Sequence, residues 1–303
     1  MSVTQLHTVF VPVHPDPARL TFDTVVKATE VRQAIVDAVA AGRLEPIALE
    51  PARSATAEEL ARIHDPAYIA AVVSGTPEHR AASNGIGWDP HLFDIAAGSA
   101  GAIRDAALAA LAGGGFVGAL STGLHHARAE RGNGYCTFNG LALAVHAALD
   151  AGARRVLVLD VDAHCGGGTA SLIADVEGAE QLDVSLIHYD TFEPTERCRS
   201  VMTDPVDYLG TLERELGAVV DPAGIDLVIY NAGMDVHERA GGLRGMTTAV
   251  VAERERMVFG WAASHGLAVA WTLAGGYISS GFGLRDVAEL HLLTPAAAIA
   301  ARR

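Results

Sequence analysis

Lysine is almost missing from this 303-residue chain: Lys27 is its single example among 22 basic residues, set against 36 acidic ones for a formal charge of −14. That balance excludes the basic stripe that follows nucleic-acid phosphates, so no nucleic-acid partner is expected and a cationic one is easier to accommodate. The three cysteines, Cys136, Cys165 and Cys198, are odd in number and form no CxxC pair. This excludes a disulfide framework and a structural zinc knuckle, and leaves reduced thiols. No run reaches the roughly 18 apolar residues of a bilayer span. The first residues carry no basic stretch ahead of their apolar ones, so neither a signal peptide nor a membrane partner is expected. Together these absences predict a cytoplasmic protein, and the Arg- and Ala-rich composition points to a GC-rich bacterial genome.

What is present is ample apolar material, 50% of residues, without a linker or composition shift to divide it. Apolar runs at 7–13, 116–120, 156–160, 184–188, 227–231 and 267–273 read as strands. Segments with helical periodicity, at 22–39, 56–63, 93–111, 139–149, 208–220, 247–265 and 284–290, alternate with them. Such alternation predicts an α/β fold: a mostly parallel sheet between two helical layers, formed as one domain over 1–303.

The densest chemistry lies in Val156-Leu-Val-Leu-Asp160-Val-Asp162-Ala-His164. A buried parallel strand reads as a continuous apolar run, and ligands gather beyond the carboxyl ends of such strands. Period-two spacing in extended chain points Asp160, Asp162 and His164 the same way. One imidazole with carboxylate oxygens suits zinc. Gly166, Gly167 and Gly168 follow, read as a sharp turn under a close ligand. The plain structural alternative is a carboxylate cluster capping the next helix. Asp235, leaving the run Leu227 to Asn231 through a small-residue turn, supplies a third ligand and leaves positions open for water and a carbonyl oxygen, as catalytic zinc sites do. His125 and His126 stand side by side after another strand, and loop anchoring is their ordinary explanation. Gly134-Tyr135-Cys136-Thr137-Phe138-Asn139 reads as a pocket wall. Tyr277, after Gly275 and Gly276, is placed either to donate to a developing oxyanion or to pack under a loop.

In order, HHA, GYCTFN, DVDAHCGGGT, AGMD and AGGY resemble the zinc-dependent deacetylases, a family that includes histone deacetylases and acetylpolyamine amidohydrolases and shares the arginase fold. Weaker similarity begins at His14-Pro15-Asp16-Pro17-Ala18-Arg19 and continues through Ile63 to Tyr68. The resemblance implies an arginase/deacetylase-like fold, with Asp162, His164 and Asp235 as zinc ligands. It makes His126 the general base and acid, and His125 an electrostatic partner oriented by Asp160. Tyr277 then bonds the substrate carbonyl, Gly134 and Tyr135 line the channel, and Phe192 forms its opposite wall. It also implies a structural potassium ion near Asp160, Asp162, His164, Ser185 and Leu186. The implied activity is hydrolysis of an acylated primary amine, such as an acetyl-lysine peptide or an acetylpolyamine.

The chain departs from the family at three places. Gly167 stands where members carry Asp or Asn to orient the second histidine, which predicts a looser His126 and a roughly 10- to 100-fold loss of activity. Cys165 replaces a second histidine, and Leu124 replaces a glycine before the pair. Gly167 gives its support to a second reading, a metal-binding regulatory member without efficient catalysis. The third reading, an arginase-like ureohydrolase, needs a second-metal carboxylate at position 166, which is glycine. Glu193 reads either as a cation attractor at the channel mouth or as a solvated carboxylate.

Overall fold

The computed structural model describes residues 5–8, 24–122 and 124–302. Most of the expected strand at 7–13, and the segment His14 to Arg19, lie outside them. One eight-stranded sheet carries the molecule: β1 Gln5–Thr8, β2 Ala48–Pro51, β3 Phe116–Ala119, β4 Val156–Asp160, β5 Ala179–Ser185, β6 Cys198–Met202, β7 Leu227–Asn231 and β8 Val269–Thr272. Their order is β2-β1-β3-β8-β7-β4-β5-β6, and every pairing is parallel.

The central strands are buried on both faces, and alternation divides their side chains between two cores. Leu157 and Leu159, Val228 and Tyr230, Val269 and Trp271 enter one core, roofed by residues of the helices Thr24–Ala40, Tyr208–Gly217 and Thr248–Ser264. Val156 and Val158, Leu227 and Ile229, Ala268 and Ala270 enter the other, under the helices Pro66–Ser74, Leu92–Gly113 and Gly140–Asp150. The 22-residue helix Leu92–Gly113 is apolar and long enough to cross a bilayer, more than its sequence suggested, but 61% of its apolar window is buried inside the fold. It packs against Gly140–Asp150 and the sheet.

Local signals set the helix ends. Asp65 accepts from Ala67 N–H with Pro66 at the first helical position, Thr56 and Glu59 form a reciprocal capping box, and Asn139 and Thr247 cap the helices that follow them. Three strands differ from the sequence expectation, and the helices Pro66–Ser74, Glu78–Ala81, Gly167–Ile173 and Leu293–Ala300 were not among the expected helical segments. The strands β2 and β6 are edge strands that contain no long apolar run. β5 begins five residues earlier than the apolar run 184–188, because its inward face carries the buried polar residues Gln181 and Asp183. Leu186 and Ile187 leave the sheet and donate their N–H groups to Ala163 O.

This topology creates the crevice. From β4 the chain proceeds to β5 on one side, and from β7 to β8 on the other. The loops leaving the adjacent strands β4 and β7 therefore diverge above their carboxyl ends, where an open parallel sheet binds its ligands.

Candidate metal centre and active site

Asp162 and His164 lie in the turn after β4, and Asp235 in the turn after β7. His164 Nδ1 is 3.1 Å from Asp162 Oδ1 and 3.1 Å from Asp235 Oδ2. One donor atom from each of the three lies within 4.8 Å of the others, a cluster that can hold a metal ion. The backbone aims the carboxylates: Asp162 accepts from His164 N–H at 3.1 Å and Gly275 N–H at 3.0 Å, and Asp235 accepts from Ala163 N–H at 3.1 Å. Both aspartates are buried. Burial by itself lowers the pKa of His164, yet its bonds to Asp162 and Asp235 lift it to about 11. A positive charge is thus favoured between the two carboxylates, so this donor set fits a divalent cation.

Asp160 does not join that cluster. The chain leaves the extended conformation after it, and its carboxylate turns aside to accept from His125 Nδ1 at 2.8 Å, Asn231 Nδ2 at 2.9 Å and Asp162 N–H at 3.1 Å. Period-two alternation therefore holds only to the end of β4.

His125 and His126 stack with ring centroids 3.8 Å apart. Asn139 holds their loop from beneath by donating to Ala127 O at 3.0 Å, and Thr169 N–H donates to His125 O at 2.9 Å. The three glycines serve this packing rather than a turn, since none has a positive φ. A Cβ at Gly166 would meet Asp160 Oδ2 at 2.7 Å, one at Gly167 would meet Asp190 O at 2.2 Å, and one at Gly168 would meet the His126 carbonyl carbon at 2.4 Å. Close approach, not conformational freedom, requires glycine here.

The expected looseness of His126 is not found. Its Nδ1 lies 3.0 Å from Asp190 Oδ2, a carboxylate delivered by the loop after β5. Electrostatics separate the two histidines. Burial lowers His125, but Asp160, Asp162 and Asp183 outweigh it and raise the pKa to about 10. Burial, followed by the charge on His125, holds His126 at about 4 despite Asp190. Neighbouring groups pushed apart in this way take different proton-transfer roles.

Residues 24–201 match the histone deacetylase domain model. This chain belongs to the histone deacetylase domain family. Among its relatives, an uncharacterized protein of Picosynechococcus sp. is 30% identical, over 78% of this chain and 80% of that one. A probable deacetylase of Methanothermobacter thermautotrophicus is 27% identical over 86% and 82% of the two chains. The solved HD domain of HDA15 superposes with a TM-score of 0.74 at 20% identity, covering 99% of this chain and 90% of that one. The fold is accordingly α/β, of the arginase/deacetylase kind.

In this histone deacetylase-family chain Gly134, Tyr135 and Tyr277 line one pocket with Leu124, His125, Cys136, Asp162 and Gly275. Backbone strain gathers around it. Tyr135, Asp190 and Ala274 all have positive φ, at 64°, 53° and 54°. Tyr277 shares this pocket with Asp162, its phenol held well above the ordinary range by burial, then by Asp235 and Asp162, so it remains a donor. Lys27, fully buried, donates to Ala274 O at 2.6 Å and Gly276 O at 3.3 Å and so pins the loop that presents Tyr277. Phe192 is partly buried and packs against the second core. Tyr189 stands beside the histidines, its ring edge-on to His126 at 5.0 Å and to His164 at 5.8 Å. Glu193 is exposed.

Ser185 Oγ is buried beside the Cys165 thiol. Asp183, paired in register with Asp160, is held above the carboxylate range by burial and then by Asp160. Sequence reading missed Asp190, Tyr189, Lys27 and Asp183. Of these, Lys27 gave a signal, as the single lysine in an apolar helical stretch.

Proposed function

We propose that the protein is a metal-dependent amidohydrolase, most simply a zinc deacetylase, acting on an acylated primary amine. The observation that carries this reading is the cluster of Asp162, His164 and Asp235 facing both the His125–His126 pair and Tyr277, which together provide a cation site, a base and an oxyanion donor. Family membership supports the same chemistry. A narrow pocket lined by Gly134, Tyr135 and Tyr277 reaches Asp162 and suits a slender acylated chain such as acyl-lysine or an acylpolyamine.

Asp162, His164 and Asp235 would hold one zinc ion, which when bound acts as a Lewis acid toward the amide carbonyl and lowers the pKa of water. His126, neutral at physiological pH, takes a proton from the attacking water and later gives it to the leaving amine. His125, bonded to Asp160, adds positive charge beside the developing anion. Tyr277 donates its phenolic proton in a hydrogen bond to the carbonyl oxygen as that atom gains charge. A potassium ion near Asp160, Asp162, His164, Ser185 and Leu186 is part of the proposal, and it rests on the family resemblance alone.

The two other readings lose their support. A non-catalytic role rested on the missing partner of His126, and Asp190 supplies one. An arginase-like second metal needs a carboxylate at 166, where even a Cβ meets Asp160. The test combines metal content with turnover of acyl-lysine peptides and acylpolyamines. About one transition ion per chain is expected, lost in Asp162→Ala or Asp235→Ala along with turnover. Two tightly held transition ions, or full metal and full activity in both variants, would refute the reading.

A further inference from the structure

We infer that Asp190, from the loop after β5, is the positioning residue for His126, and that Gly167 is glycine because that loop occupies the space a side chain there would need. The kinetic part of this inference rests on the proposed hydrolysis. The geometric part stands without it.

Three independent contacts hold the Asp190 carboxylate. Oδ2 accepts from Gly168 N–H at 2.9 Å and faces His126 Nδ1 at 3.0 Å, while Oδ1 accepts from Arg128 Nη2. The Asp190 and His126 side chains are only 4% and 5% exposed, so water does not compete for the pair. An ionised carboxylate only accepts hydrogen bonds. His126 must therefore carry its proton on Nδ1, which leaves Nε2 as the free lone pair. Fixing the tautomer and the ring plane is how a carboxylate partner prepares an imidazole for proton transfer.

The exclusion at 167 makes the arrangement specific to this chain. With Asp190 O at 2.2 Å from any Cβ at that position, and Arg128 Nη2 at 3.0 Å, a side chain at 167 and the observed course of the loop cannot coexist. Asp190 holds a φ of 53°, a conformation that Asp and Asn tolerate better than most residues, and its contacts keep it there.

The relocation has a mechanical consequence. Tyr189, the adjacent residue, lies edge-on to His126 and His164, donates to Asn133 Oδ1 at 2.9 Å and accepts from Cys165 N–H through its carbonyl at 3.1 Å. Two consecutive residues therefore contact the His126 side chain. Their loop is pinned to the segment that bears His164 rather than hinged as a lid.

The test uses zinc-loaded protein with ¹⁵N-labelled histidine, His126 being assigned by its loss in His126→Gln. Long-range ¹H–¹⁵N spectra are expected to show His126 as the Nδ1–H tautomer. Asp190→Asn keeps one acceptor oxygen and tolerance of positive φ but loses the charge and faces Arg128 or His126 with an amide NH2, so kcat should fall while zinc and KM are kept. Asp190→Ala should retain zinc and KM, lose the single tautomer and drop kcat about 10- to 100-fold. An Nε2–H tautomer in the unaltered protein would overturn the inference, as would an unchanged tautomer and kcat in folded, zinc-loaded Asp190→Ala. If the protein turns over none of the acylated amines, the proposed function fails, and the tautomer alone decides the role of Asp190.

Discussion

Removing the Arg254 guanidinium should weaken the metal centre from a position that touches no ligand. Arg254 is fully buried on the helix Thr248–Ser264. It donates to Gly233 O at 2.6 Å and Val161 O at 3.2 Å, the carbonyls beside the turns that carry Asp235 and Asp162, and it pairs with fully buried Glu255. Arg254→Met leaves Glu255 with Tyr230 OH as its hydrogen-bond donor, at 2.9 Å. Orphaning a buried charge in this way costs about 3–5 kcal/mol. At roughly 2 °C per kcal/mol for a large domain, Tm should fall by about 6–10 °C. Zinc affinity, measured by competition with a chromophoric chelator, should fall about 10- to 100-fold, since the two turns lose their common anchor. Arg254→Met/Glu255→Gln removes both charges and keeps an acceptor for Tyr230, so it should recover part of the stability but not the zinc affinity. A Tm drop under 2 °C together with unaltered zinc affinity in Arg254→Met would refute the reasoning.

Tyr277→Phe should retain its metal and KM while kcat falls about 10²- to 10³-fold, the usual loss for one oxyanion donor, and unchanged turnover would mean that the phenol points elsewhere. His64 is buried, with its pKa lowered from 6.5 to about 4 by burial, so it stays neutral in the folded state. The stability this protects is complete above pH 6.5, where both states are neutral, and is lost as pH falls from there toward 4, by about 2 kcal/mol between pH 7 and pH 5. Urea unfolding at the two pH values should show that slope diminished by the same amount in His64→Asn, and equal slopes would refute it.

The convergence of Asp162, His164 and Asp235 was legible because each sits just past a strand buried on both faces, and such strands are written as continuous apolar runs. Val156–Asp160 and Leu227–Asn231 occur where those runs occur. The edge strands β2 and β6 escaped detection because they need few apolar residues.

Local pattern was sufficient for the central strands and for bringing Asp162, His164 and Asp235 to one rim, since strand burial, turn residues and donor chemistry act over a few consecutive positions. It also showed that position 167 lacks a side chain, and from that alone the base seemed unsupported. Folding reverses the conclusion. Asp190 lies 64 residues beyond His126, and nothing nearby in the chain marks it as a partner. The β5 loop reaches the histidines only because β4 and β5 pair in register and the backbone at Gly167 is bare enough to let it pass. Hydrogen bonds between distant segments depend on how loops cross above a sheet, and that crossing is set by packing of the whole molecule rather than by any stretch of residues read in order.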